Sequence, residues 1–165
     1  MPQLILRDPR PGDWGWIIER HGALYFAEYG WGREYEAYVA HAVGTLAEHL
    51  DPAREAAWIA EVDGVRAGSI ACARRDDETA QLRFFLAEPA SRGQGVGLAL
   101  IRACLDFAVS AGYRRMMLWT CSGLTASRAL YERHGFTLES EPGPFPYDAG
   151  RTEQIWSRSL GGRIQ

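Results

Sequence analysis

The sequence has no lysine. All 18 basic residues are arginine, set against 21 Asp and Glu, for a formal net charge of −3. A mildly acidic chain without a long basic run is a poor sequence-independent binder of nucleic acid, although Arg74-Arg75 and Arg114-Arg115 make short basic pairs. No window approaches about 18 consecutive apolar residues, so no transmembrane helix is expected. Met1–Arg10 lacks the apolar stretch of a signal peptide. Cysteine is scarce: Cys72, Cys104 and Cys121 are widely spaced, with no Cys-x-x-Cys. His21, His41, His49 and His134 do not combine with them at finger spacing, which argues against a zinc site. The expectation is reduced, buried cysteines, no metal and a cytoplasmic location, without membrane or nucleic-acid partners.

What is present is an ordinary globular composition, 47% apolar and 24% charged, which argues against disorder. With 165 residues the expectation is a single domain over 1–165 that buries roughly two-thirds of its unfolded surface. Leu4–Leu6 reads as a strand. Asp13 is placed to cap a helix carrying Trp14, Ile17, Ile18 and His21 at helical spacing. A second helical pattern runs from Arg33 to Leu50 and stops at Asp51-Pro52. The period then changes to that of strands: Ala57–Val62, a turn at Asp63-Gly64, Val65–Ala73, and Thr79–Ala87. Leu98, Ile101, Leu105 and Val109 mark a helix closed by Gly112. A strand at Met116–Trp119, a helix at Thr125–His134, and strands at Phe136–Leu138 and Glu153–Leu160 complete the chain, with Pro142–Pro146 as a loop. The order β-α-α-β-β-β-α-β-α-β-β predicts an α+β (three-layer α/β) fold.

Arg92-Gly93-Gln94-Gly95-Val96-Gly97 stands between a strand and an amphipathic helix. Glycines let a ligand approach the backbone, and a helix N-terminus offers unpaired amides with partial positive charge, a combination suited to phosphate. A nucleoside-triphosphate loop is excluded because Leu98-Ala99 follows Gly97, where Gly-Lys-Ser/Thr would need to run on. A dinucleotide fingerprint lacks its third glycine, since Leu98 occupies that position. A purely connecting glycine turn remains the alternative.

Arg92-x-x-Gly95-x-Gly97 resembles the Arg/Gln-x-x-Gly-x-Gly/Ala signature of the GNAT N-acetyltransferase superfamily. Leu130-Tyr131 ahead of Gly135-Phe136 resembles the family's second signature, and the element order from Leu4 to Leu160 is similar too. The aromatic stretch His21–Trp31 further resembles acetyltransferase domains fused behind MarR-type regulators. The resemblance implies a mixed, mostly antiparallel sheet flanked by helices, acetyl-CoA as cosubstrate, and direct acetyl transfer to a primary amine in a ternary complex.

The resemblance also implies site residues. Backbone amides of Gln94, Gly95, Val96 and Gly97, with Gly93 nearby, would hold the pyrophosphate, and Arg92 would add charge. Leu86, Ala87 and Glu88 would form the bulged strand end that pairs with the pantetheine arm. Tyr131 would protonate the departing thiolate. The family often has Asn at the place of Leu124; Ser127 is the expected substitute, with Ser122 and Thr125 as others. The fourth strand carries Gln81 and Arg83 where some members carry a glutamate base, so the candidate bases are Glu28, Glu88, His21 or a water held by backbone carbonyls, with Glu28 taken as the catalytic one. Tyr25, Tyr29 and Trp31 with Glu28 would make an aromatic, anionic pocket for a cationic amine, faced by Tyr147 and Asp148. Cys121 lies near the cofactor without an activating neighbour. Two alternatives stay open: an acyl-CoA sensor without turnover, and acetylation of a protein N-terminus or lysine. A homodimer is an open assembly state.

Overall fold

The computed structural model describes residues 2–161. The chain runs β1 (Leu4–Arg7), α1 (Asp13–Tyr29), α2 (Arg33–His49), β2 (Ala56–Val62), β3 (Val65–Arg74) and β4 (Thr79–Ala87). A 3₁₀ turn at Pro89–Ser91 leads to α3 (Val96–Ser110), β5 (Arg115–Cys121), α4 (Thr125–Arg133), β6 (Thr137–Ser140), β7 (Pro144–Phe145) and β8 (Asp148–Ser159). The strands form one sheet in the order β1-β2-β3-β4-β5-β8-β6, with β7 paired to β8. Every neighbouring pair is antiparallel except β4 and β5, which α3 connects as the crossover a parallel pair requires. Among the described residues no helix is long and apolar enough to cross a membrane.

The sheet separates two cores. On one side, Leu100, Ile101 and Cys104 of α3 pack with Ile70, Cys72, Leu82, Met116, Leu118 and Trp156. On the other, Ile17 of α1 and Val39 and Val43 of α2 pack on Ile59, Ala71 and Phe84. This is the expected three-layer arrangement. Gly68 permits the close fit on the α3 side, since a Cβ there would sit 2.5 Å from the Leu86 carbonyl oxygen and 3.0 Å from Leu100 and Val96. The expected Asp63-Gly64 turn forms with both residues at positive φ, +51° and +81°, as a two-residue hairpin needs. All three cysteines are free and buried.

Three expectations are corrected. Asp13 is not the cap of α1; Gly12 holds that place and makes no side-chain cap. The Asp13 carboxylate instead accepts from Arg7 at 2.6 Å, Arg66 at 3.0 Å and the Arg10 amide at 2.7 Å. The hydrogen bond from Arg7 leads in holding its pKa down at about 2. The Pro142–Pro146 stretch is not all loop, because Pro144–Phe145 pairs back on β8. Accordingly β8 starts at Asp148 rather than near Glu153.

The third correction concerns the bulge. It lies at Phe84-Phe85 and not at Leu86–Glu88: Ala71 pairs with Arg83 and Ser69 with Leu86, leaving Ile70 opposite two residues. Phe84 takes φ +53°, unusual for a bulky side chain, and the buried Ser69 hydroxyl donates to its carbonyl at 2.7 Å. The extra residue switches which side chains face which layer. Ala80 and Leu82 face the α3 core, then Phe84 faces the α1/α2 core, and Phe85 and Ala87 return to the α3 side.

Candidate active site

Pairing between β4 and β5 ends at Leu82 and Leu118, although β4 continues to Ala87 and β5 to Cys121. β3 and β8 hold the outer edges of these extensions, so the two strands part and leave a gap in the sheet. Two clefts meet there, sharing Tyr25, Phe85, Leu124 and Ser127.

The outer cleft, about 410 Å³, lies between α1, the end of β4, the start of α3 and α4. Leu86, Ala87, Arg92, Gly93, Gly95, Val96, Gly97 and Ser127 all line it, so most of the expected cofactor residues come together. Gly93 and Gly95 have φ +80°, a conformation that costs glycine little. α3 starts without a side-chain cap or an acidic residue in its first turn. The amides of Gly93, Gly95, Val96, Gly97 and Leu98 have no hydrogen-bond partner among the described residues. The Gln94 amide is different: it donates to the Ser91 carbonyl at 3.2 Å, and Gln94 does not line the cleft. Gly97 serves packing as well, because a Cβ there would meet Leu130 at 3.1 Å and Phe85 at 3.3 Å.

Glu88 also lies outside the cleft lining. Its amide donates to the Ala67 carbonyl at 2.8 Å, and its carboxylate accepts from Arg20 at 2.7 and 3.0 Å. That paired contact ties α1 to the end of β4. By strand alternation the Ala87 amide faces the opposite edge, toward the gap. Glu28 lines the outer cleft, 3.1 Å from Arg92, and is absent from the inner one. Ser122 accepts from the Thr152 amide at 2.9 Å, and of the three expected substitutes Ser122, Thr125 and Ser127, it is Ser127 that lines both clefts.

The inner pocket is smaller, about 100 Å³, and its walls come from α1, α2, β4, β5, α4 and β7. Tyr25 packs 5.2 Å from Trp31 and 5.7 Å from Tyr35, and Trp31 packs 5.1 Å from Phe145. The aromatic stretch therefore builds a wall and holds the helices together at once. Tyr147 and Asp148 do not line the pocket. Tyr147 backs Tyr35 and Tyr38 at 5.6 Å, while the Asp148 carboxylate accepts from Trp31 at 3.0 Å and Arg151 at 2.9 Å.

Four titratable groups of the pocket matter for chemistry. Tyr131 is buried, and that burial pushes its phenol up, so it stays protonated at neutral pH. Its ring lies 6.2 Å from Phe85, and its hydroxyl has no protein partner among the described residues. His21 is buried, which lowers its pKa to about 4. Its Nδ1 is 2.8 Å from the Ile17 carbonyl and so carries the proton, leaving Nε2 as a bare acceptor. Burial raises the Cys121 thiol to about 11, which removes the thiolate a nucleophile needs. Arg83, which sequence reasoning noted only as a missing glutamate, lines the pocket and donates to the Tyr38 hydroxyl at 2.7 Å. No carboxylate lines this pocket among the described residues, so the expected anionic wall is absent.

Residues 14–136 match the profile of the acetyltransferase (GNAT) family, and the chain belongs to that family. N-acetylaspartate synthetase of Danio rerio is 33% identical over 96 residues, which are 58% of this chain and 34% of that protein. N-acetyltransferase 8B of Homo sapiens is 32% identical over 84 residues, 48% of this chain and 37% of that protein. The match thus spans about a third of the length of these curated relatives. Among solved structures, Ard1 from Thermoplasma volcanium superposes with TM-score 0.76 at 19% identity, covering 95% of this chain and 97% of that one. The yncA protein of Salmonella typhimurium, solved with its cofactor acetyl-CoA, gives TM-score 0.75 at 20% identity, covering 98% and 96%. These two share the fold.

Proposed function

We propose that this chain transfers the acetyl group of acetyl-CoA to the amine of a small molecule. The observation that carries the reading is the meeting of two unlike clefts at the β4–β5 gap, one rich in unclaimed amides and one closed by aromatic rings. The outer cleft suits a pyrophosphate: free amides at the start of α3, two left-handed glycines, and Arg92 and Arg133 in the walls. Acetyl-CoA bound there supplies an activated thioester. Glu28 holds Arg92 at the mouth and stands away from the chemistry.

Within the inner pocket, His21 replaces Glu28 as the base. Its bare Nε2 accepts the proton released when the amine nitrogen bonds to the acetyl carbon. Burial keeps His21 neutral at pH 7, so Nε2 is unprotonated and able to take that proton. As the carbon–sulfur bond breaks, Tyr131 gives its phenolic proton to the leaving sulfur. Ser127, facing both clefts, is placed to donate a hydrogen bond near the thioester.

A pocket of about 100 Å³ is narrow for a peptide and favours a small acceptor over a protein terminus. Relatives named N-acetylaspartate synthetase are named for a small acetylated product, which supports the same choice. The same reading includes a cytoplasmic location, a homodimer and kinship with the MarR-fused domains.

Calorimetric titration with acetyl-CoA, with NAD and ATP as controls, followed by thiol release with an amine panel, tests the proposal. Selective micromolar binding with amine-dependent release is the expected result. Tight binding with no release from any amine would instead identify a sensor.

A further inference from the structure

Outside the inner pocket, the half-buried arginines meet carboxylates (Arg7, Arg20, Arg115, Arg151) or donate to backbone carbonyls, Arg54 to Asp77 and Arg158 to His134 and Ser159. Arg7 meets Asp13 and Glu61 at 2.6 Å, Arg20 meets Glu88 at 2.7 Å, and Arg151 meets Asp148 at 2.9 Å. The physical reason is general: a cation withdrawn from water needs a countercharge or a full set of acceptors. Arg83 breaks the pattern. It is half-buried inside the inner pocket, and no carboxylate lies within 4.0 Å of it among the described residues. Its one side-chain hydrogen bond runs from Nη2 to the Tyr38 hydroxyl at 2.7 Å. Nε and Nη1 have no protein acceptor among the described residues.

The guanidinium is held in place rather than swinging free. It stacks 5.0 Å from the ring centroid of Phe84, the positive-φ residue of the bulge, and Tyr38 fixes its far end. With His21 neutral, Arg83 is the charged side chain of the pocket among the described residues. Gln81 and Thr120 add an amide and a hydroxyl to the same lining, both without protein partners among the described residues. A fixed guanidinium with two unclaimed donors matches a planar carboxylate better than any other small anion. The same charge disfavours a second cationic group, so a diamine or polyamine fits badly.

We infer that the acceptor is a small amino acid-type molecule, an amine that also carries a carboxylate, and that Arg83, oriented by Tyr38, selects it by binding that carboxylate. This rests on the acetyl-transfer reading above for the amine, while the carboxylate site stands on the pocket itself. Arg83 is the specificity residue, and Tyr38 is a positioning residue acting through it.

The test compares each proteinogenic amino acid with its decarboxylated amine, reading thiol release from acetyl-CoA. In the wild-type protein the preferred acid should exceed its amine by about tenfold or more in kcat/KM. Arg83→Gln should bring that ratio close to one, chiefly by raising KM for the acid. Arg83→Lys should restore part of it, and Tyr38→Phe should lower it by a smaller factor. Titration of the acid onto the protein in the presence of CoA reads the same site without turnover. Acid binding that Arg83→Gln abolishes, with no thiol release from any amine, would keep the carboxylate site and overturn acetyl transfer. Wild-type preference for decarboxylated amines, or equal loss for acid and amine in Arg83→Gln, would overturn the carboxylate site and leave acetyl transfer standing. The wild-type comparison does not depend on the variants folding.

Discussion

The two clefts differ in what they are made of. The outer one is lined at one end by backbone: amides at the start of α3, set by glycines within a few residues of one another. The inner one is lined by side chains brought from six elements, spread from His21 to Phe145. Backbone donors look alike in every sequence that keeps the glycines, so such a site is durable and recognises a constant group. Side-chain walls change with every substitution, so they suit the partner that varies. Variants should therefore separate into those that alter cofactor affinity and those that alter turnover or acceptor choice.

The largest effect should come from Gly95→Glu. It adds a carboxylate where phosphate is expected and puts a side chain on a backbone at φ +80°. The acetyl-CoA Kd should rise by about 100-fold or more in calorimetry. Retained affinity would mean the glycines only turn the chain. Next, Tyr131→Phe should lower kcat about 100-fold while acetyl-CoA affinity stays within a small factor. Unchanged turnover would remove Tyr131 from the chemistry and blur the division between the clefts.

His21 gives a pH signature. Its folded pKa of about 4 lies below the ordinary 6.5, so the unfolded chain takes up the proton first. Its contribution is complete above pH 6.5 and is lost as pH falls toward 4, about 3 kcal/mol in all. Denaturant unfolding of wild type against His21→Gln across that range should show the difference. Parallel curves would place the imidazole in contact with water. The smallest effect should come from Ser69→Ala, which leaves the buried Phe84 carbonyl without its partner, at a cost of about 1–3 kcal/mol in stability. If kcat falls in that variant while acetyl-CoA affinity holds, the bulge shapes the inner pocket more than the outer.

The same division explains what could be read in advance. That the glycine segment opens α3 and that Tyr131 lies on α4 was legible because these residue types sit at fixed local offsets. The layers and most elements followed from apolar periodicity. The bulge was misplaced because nothing about a Phe-Phe pair announces a positive φ; the register with β3 imposes it. Asp13 failed as a cap because Arg7 and Arg66, from two strands, hold its carboxylate more strongly than a helix amide would. Nearness to Tyr25 in sequence points Glu28 toward the acceptor, yet it pairs with Arg92 in the lining of the outer cleft. Arg83 gained its meaning only from Tyr38 and His21, which lie far away in the chain.

The single extra residue at Phe84-Phe85 also bears on how this protein can change over generations. Loops usually absorb insertions and deletions, and strands absorb substitutions. Here a strand carries one extra residue, so losing either phenylalanine would restore a regular ladder with Arg83, Leu86 and Ala87 still on their present β3 partners and faces, and would remove the side chain that the bulge turns onto the α1/α2 layer. A deletion at this point would thus change the inner pocket's wall locally and leave the rest of the sheet's register in place.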